Sequence, residues 1–173
     1  MSSSTPPGYD PYAPHPQGGT PAWLGPTPSP GAQPAPGTRA LAAPLDRFLA
    51  RLIDGAVLLV PLVVISLITQ AGFLYYVLAA VVLVAYDGGM LLTQQGQTIG
   101  KKAMRLRVVS AAHGGRPTDN ELWTRAGVYG GPFLVPYVGG LFMLVNVLSQ
   151  LWDKPLQQCF HDKAAKTVVV KEA

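Results

Sequence analysis

From Gly55 to Tyr86 the chain runs for 32 residues without a charged side chain. One bilayer span needs only about 20 apolar residues. The run is broken once by a short polar stretch, Thr69-Gln70-Ala71-Gly72. It predicts two transmembrane helices, about 45–69 and 72–93, joined as a tight hairpin. Pro61 falls inside the first and predicts a kink, which membrane helices tolerate where neighbours satisfy the freed backbone. Only 13% of the 173 residues are charged, against about 25% in a soluble domain, which fits a membrane protein.

The N-terminal stretch obeys different physics. Residues 1–44 hold 12 of the 17 prolines, too many for helix or sheet. Such a segment cannot bury enough apolar surface to offset its ordering entropy. Residues 1–44 are therefore expected to form a disordered, proline-rich cytoplasmic tail. A PxxP spacing at Pro11–Pro14, with Tyr9, Tyr12 and Trp23 as aromatic handles, offers a partner with an aromatic groove something to read; a plain spacer is the competing reading. No basic n-region or apolar h-region is present and the first basic residue is Arg39. A cleavable signal peptide is not expected.

Lys and Arg set the expected topology. The hairpin turn has none, whereas Arg39, Arg47 and Arg51 flank the first helix and Lys101, Lys102, Arg105, Arg107, Arg116 and Arg125 follow the second. Both ends of the hairpin, and the tail, are thus expected on the cytoplasmic side. A third apolar segment, 126–152, is interrupted by Gly130-Gly131-Pro132, Pro136 and Gly139-Gly140. A single crossing would put Lys154, Lys163, Lys166 and Lys171 outside. A re-entrant pair of short helices, about 118–135 and 140–152, keeps them inside and is the preferred reading. Pro117, Thr118 and Glu121 have the spacing of a capping box at the start of that segment. Residues 104–110 and 167–171 read as two short strands that pair below the membrane. The expected fold class is an all-α membrane protein: a helical hairpin, a third kinked or re-entrant segment, a small cytoplasmic β element and the tail, with the membrane domain at 45–171.

Arg47, Arg51 and Asp54 fall within an arc of about 60° on one helix face. Asp54 lies before the hairpin turn by as many residues as Asp87 lies after it, which puts both carboxylates ~22 Å below the turn. Charges at that depth must face the bundle and find partners. Asp54 is expected to pair with Arg51, Arg47 or a basic residue of the following loop, as a clamp between helices. A proton or ion path through Asp54 and Asp87 is the alternative, and Arg47 has the option of snorkelling to lipid phosphates. Asn146 and Gln150, four apart, are expected to hydrogen-bond to neighbouring helices. Cys159 reads as a small apolar side chain near the membrane surface.

Catalytic and metal motifs are weak. Gly96-Gln97-Thr98-Ile99-Gly100-Lys101-Lys102 is no phosphate loop, because the glycines are too close and Lys102 stands where Ser or Thr must bind magnesium. His161-Asp162 lacks further ligands for a metal. No nucleophile–base set is evident, and neither enzyme activity nor a cofactor is expected. No basic stripe with interleaved aromatics points to nucleic acid.

Four blocks together carry a resemblance. They are Arg47-Phe48-Leu49-Ala50-Arg51-Leu52-Ile53-Asp54; Gly96-Gln97-Thr98-Ile99-Gly100-Lys101 leading into Leu106-Arg107-Val108-Val109; Arg125; and His161-Asp162-Lys163-Ala164-Ala165-Lys166-Thr167-Val168-Val169-Val170. Residues 45–171 resemble the RDD family of membrane proteins, named for one arginine and two aspartates. The tail makes the chain look like that family's proline-rich-antigen-like members. The resemblance implies Arg47 and Asp54 as the first two signature residues and Asp162 as the third, with Asp87 the runner-up. Lys166 departs from the pattern, which has a small residue before Thr167. The family's molecular role is poorly defined, with transport often suggested.

These readings point to a non-enzymatic accessory or interaction subunit of the cytoplasmic (inner) cell membrane, with both termini cytoplasmic. Its expected partners are a bilayer with anionic lipids and a membrane protein or further copies of itself, without nucleic acid. The alternative is small-solute or ion transport through an oligomer, using the intramembrane carboxylates.

Overall fold

Pro44 opens the first long helix. Its fixed φ suits the first helical position, and Ala43 before it is extended. The helix, α1, runs Pro44–Ile68 with Pro61 inside it. Gln70 and Ala71 then both adopt left-handed backbone, at φ 51° and 54°, and Gly72 caps α2, Phe73–Thr93. At ~1.5 Å per residue these helices are on the order of 37 and 31 Å long. Both are long and apolar enough to cross a membrane.

The computed structural model describes residues 39–154 and 156–172, together with Pro21, Trp23 and Leu24. The expectation of a disordered tail falls mostly outside the described residues. Its boundary at residue 44 is corrected, because Ala40–Leu41 forms β1 and pairs with the C-terminal strand. Leu24 forms a bridge to Arg39 and packs with Leu41, Val109, Val168 and Val170.

After α2 come a short helix α3, Ile99–Ala103, and strand β2, Leu106–Ser110. The C-terminal strand β3, Thr167–Lys171, pairs antiparallel with both β1 and β2 in the order β1-β3-β2. Val108 faces Val169 in the register. The strand period of two splits the valines between faces. Val108 and Val169 join Ala50, Leu91, Leu106 and Leu122 in one cluster, while Val109, Val168 and Val170 face Leu24 and Leu41 in the other. The sheet expected from 104–110 and 167–171 is present, with β1 as a third strand.

The third apolar segment starts at α4, Asp119–Gly130, behind the capping box of Thr118 and Glu121. A 3-10 turn, Gly131–Leu134, leads to α5, Val138–Leu148, and a second 3-10 turn, Ser149–Leu151. The expected helices at 118–135 and 140–152 thus become α-helices that each finish in a 3-10 turn. Pro132 and the tight Pro136–Gly140 bend explain the break: a Cβ on Gly139 would lie 2.2 Å from the Pro132 carbonyl oxygen. Phe133 and Tyr137 at the bend meet Tyr75 and Tyr76 in the first turn of α2, with ring centroids 6.0–6.4 Å apart. The segment climbs the length of α2 and comes back, because β2 precedes it, β3 follows it, and the two strands share one sheet. A short helix α6, Phe160–Ala164, links it to β3.

Candidate functional site

The charged residues of α1 and α2 gather between the lower hairpin and the sheet. On α1 the buried positions are Arg47, Ala50, Asp54 and Leu58, spaced three and four apart on one helix face. On α2 the matching stripe includes Leu83, Asp87 and Leu91.

Arg47 does not snorkel to lipid. It is buried, and its guanidinium donates to three backbone carbonyls: Ala42 and Val169, each at 3.1 Å, and Gln157. One side chain thereby joins the start of α1, strand β3 and the loop before α6. Five fixed donors on a planar fork make arginine the residue suited to this.

Asp54 is buried as expected, but its partners are not cations. Its Oδ1 accepts from the Tyr86 hydroxyl and the Gly100 amide, each at 2.8 Å, and Oδ2 accepts from the Thr98 hydroxyl at 2.6 Å. The expected ion pair is corrected. Arg51, one turn below, is drawn to Asp87 across the hairpin, and the first turn of α3 offers donors that no helix satisfies internally. Gly100 is what lets α3 approach, since a Cβ there would sit 2.0 Å from the Ala50 carbonyl oxygen. The Gly96–Lys101 motif therefore docks α3 on the Asp54 carboxylate. Gly96 turns the chain at φ 85°, and Gln97 donates to the Leu106 carbonyl at 2.9 Å. Thr98 caps α3, donates to Asp54 and accepts from the Lys101 ammonium at 3.3 Å.

Asp87 holds two cations, Arg51 at 2.8 Å and Lys101 at 3.6 Å. Arg51 also lies 4.0 Å over the Tyr129 ring, a cation–π contact that ties α4 to the hairpin. Lys101 is buried, and that burial together with the neighbouring Arg51 lowers its pKa to about 8.

The third cluster hangs from α6. Asp162 accepts from the Cys159 amide at 3.1 Å, closing the first turn of that helix. Its other oxygen binds Arg125 of α4, which also donates to Thr167 of β3 at 3.0 Å. Burial alone would raise the Asp162 carboxyl; the Arg125 guanidinium outweighs it and holds that group well below the usual carboxylate range. The Asn146 side-chain oxygen lies 3.2 Å from the His161 amide and 3.0 Å from Nδ1, while Nε2 lies 3.2 Å from Arg125 and 3.4 Å from Arg51. This pattern assigns the proton to Nδ1 and a lone pair to Nε2. Burial lowers the His161 pKa and keeps the ring neutral.

Cys159, His161 and Asp162 bring one ligand atom each within 4.8 Å of one another, a proximity that the sequence reading missed for Cys159. Their lone pairs are already committed: Asp162 and His161 face the Arg125 guanidinium, and burial pushes the Cys159 thiol up to about 12. A metal ligand must be deprotonated and unengaged. Cys159 is buried, its thiol 3.7 Å from the Val147 carbonyl of α5. Asn146 does reach across to α6, as expected, while the Gln150 side-chain oxygen has no partner among the described residues.

Arg47, Arg51, Asp54, Asp87 and Asp162 thus converge at the base of the bundle. The sequence reading quoted Thr98, Lys101 and Arg125 without assigning them as partners, and left out Tyr86 and Tyr129. Arg125 had a legible signal, because it shares the buried α4 face with Leu122 and Ala126 at helical spacing. A family model described as the RDD family matches residues 41–166. No curated protein and no solved structure matches the chain.

Proposed function

Because the chain belongs to the RDD family, we propose that it is a multi-pass integral protein of the cytoplasmic membrane acting as a non-enzymatic accessory or interaction subunit. The observation that carries the membrane reading is the exposed upper hairpin. Leu59, Val60, Leu67, Ile68, Phe73 and Leu74 are all more than half exposed, and only 17% of the apolar window of α1 is buried. A contiguous apolar surface of this extent needs lipid or a partner to cover it. The shared sheet supports a common side for both ends of the hairpin and the C-terminus, and the positive-inside rule favours the cytoplasm for that side.

The buried charges favour a structural over a conductive role. Asp54 accepts from three donors, Asp87 meets Arg51 and Lys101 through Oδ1 while its Oδ2 has no hydrogen-bond partner among the described residues, and Asp162 accepts from Arg125 and the α6 amide. The proline-rich tail, resembling that of proline-rich-antigen-like members, supplies a segment for partner contact. Affinity purification in mild detergent, with and without residues 1–44, tests this. Stoichiometric recovery of one membrane complex that is lost on deleting the tail is expected. Recovery of self-oligomers alone, with cation flux in proteoliposomes that Asp87→Asn abolishes, would transfer the assignment to transport.

A further inference from the structure

A small cavity of about 20 Å³ lies at the centre of the charged base. That is room for one occupant the size of a water molecule. Its wall includes Arg47, Arg51, Lys101 and Arg125, with the Asp162 carboxylate, His161 and Gln150 beside them. Four cations and one carboxylate therefore line one partly open space. The carboxylates around them are three, Asp54, Asp87 and Asp162, all buried. Asp54 is engaged by the neutral donors Tyr86, Thr98 and Gly100, and the Arg47 hydrogen bonds among the described residues go to neutral carbonyls, with Asp162 near enough to act on its charge. With His161 neutral, the base carries one positive charge in excess. A buried charge without a counter-charge is strongly disfavoured.

A second observation points into the same space. Arg125 is 1% exposed, lines the cavity, and its Nε–H has no acceptor among the described residues. The side-chain oxygen of Gln150, a residue also at the wall, has no donor among the described residues. With the amide turned over, its NH2 faces the cavity instead, an assignment that the hydrogen-bond network decides. A water molecule would satisfy Arg125 Nε–H but would leave the excess charge in place. An anion satisfies both.

We propose that this cavity is a binding site for one small monovalent anion of halide size, held between Arg47, Arg51, Lys101 and Arg125. The size argues against phosphate or a lipid headgroup, whose tetrahedral oxygens need more room. The site does not depend on whether the protein is an accessory subunit or a transporter.

The test uses the full chain in mild detergent at pH 7. Apparent Tm is recorded at constant ionic strength while gluconate is replaced by chloride, bromide or phosphate. Chloride and bromide are expected to raise Tm with the logarithm of their concentration above Kd, on the order of 5 °C at a hundredfold excess over Kd. Phosphate is expected to match gluconate. Lys101→Met removes the excess charge and is expected to abolish the halide response, while surface Arg116→Gln keeps it. If Lys101→Met does not fold, chloride NMR line broadening on the wild-type protein, reversed by bromide but not by gluconate, reads the site directly. Equal Tm in all four salts, with no line broadening, would mean that water fills the cavity and the proposal fails. Phosphate as effective as chloride would overturn the assignment to a halide-sized anion.

Discussion

At the scale of single residues, Asp54 separates two ways of satisfying a buried carboxylate. An ion pair would lose as much on neutralisation as on truncation. A carboxylate held by Tyr86, Thr98 and Gly100 should not, because Asn keeps one acceptor oxygen and the Thr98 hydroxyl can turn to accept from the amide. Asp54→Ala leaves three donors unmet and should cost on the order of 3 kcal/mol or more, and Asp54→Asn about 1–2 kcal/mol. Thermal unfolding of both variants in detergent measures this, and equal losses would restore the ion-pair reading. Lys101 carries the pH dependence. It faces Asp87 and Thr98, with Arg51, Arg125 and Asp54 nearby, and its pKa falls from 10.5 to about 8 on folding. Between those values the unfolded chain holds the proton and the folded chain does not, so stability contributed by this group rises with pH. In gluconate, wild type should therefore gain apparent Tm relative to Lys101→Met as pH climbs from 8 to 10.5. A difference that is flat or falls across the window contradicts a buried, desolvated lysine.

At the scale of elements, close approach decides which helix pairs are rigid. Two adjacent glycines of α2 make the comparison. A Cβ on Gly88 would meet the Trp123 ring at 2.7 Å and Ala126 at 3.3 Å, whereas one on Gly89 meets nothing within 4 Å. Gly88→Ala forces α4 away from α2 and should lower stability by about 1–3 kcal/mol. Gly89→Ala should be neutral or slightly stabilising, since alanine is the better helix former by about 1 kcal/mol. Circular-dichroism melts of the two variants decide it, and equal effects would show that Gly88 does not set the α2–α4 distance. The same reasoning applies to Gly100, whose missing side chain lets α3 sit on Ala50 and reach Asp54. Sequence patterning located α2 within a residue and the start of α4 at its capping box, but gave no sign of α3. Which glycines were contact points and which were incidental depended on neighbours far away in the chain.

At the scale of the whole molecule, the sheet fixes the topology. β1 precedes the hairpin, β2 follows it, and β3 follows the re-entrant segment, yet all three pair edge to edge. Segments on opposite sides of a bilayer cannot share a ladder, so under the proposed membrane reading the apolar stretch between β2 and β3 leaves and returns on one side. With Cys159 replaced by Ser, a cysteine at Glu172 should resist a membrane-impermeant thiol reagent in intact cells, and one at Gln70 in the hairpin turn should react. Labelling at Glu172 as efficient as at Gln70 would rule out this arrangement.

The sequence by itself determined the hairpin, the strands at 104–110 and 167–171, the capping box at Thr118, the common face of Arg47, Arg51 and Asp54, and the common depth of Asp54 and Asp87. Charge-free length, strand alternation and the cost of burying charge act locally or through helical period, so they leave a mark in the linear pattern. Only the tertiary structure decided who pairs with whom. Arg51 was four residues from Arg47 and three from Asp54, but its carboxylate lies across the hairpin on Asp87, 36 residues away. Asp162 waited for Arg125, 37 residues distant, and Asp54 for the amide and hydroxyl of a loop that has no periodic signature. Pairing between buried charges is set by the geometry of packed helices and by which donors remain unmet, and those quantities exist only once the chain has closed.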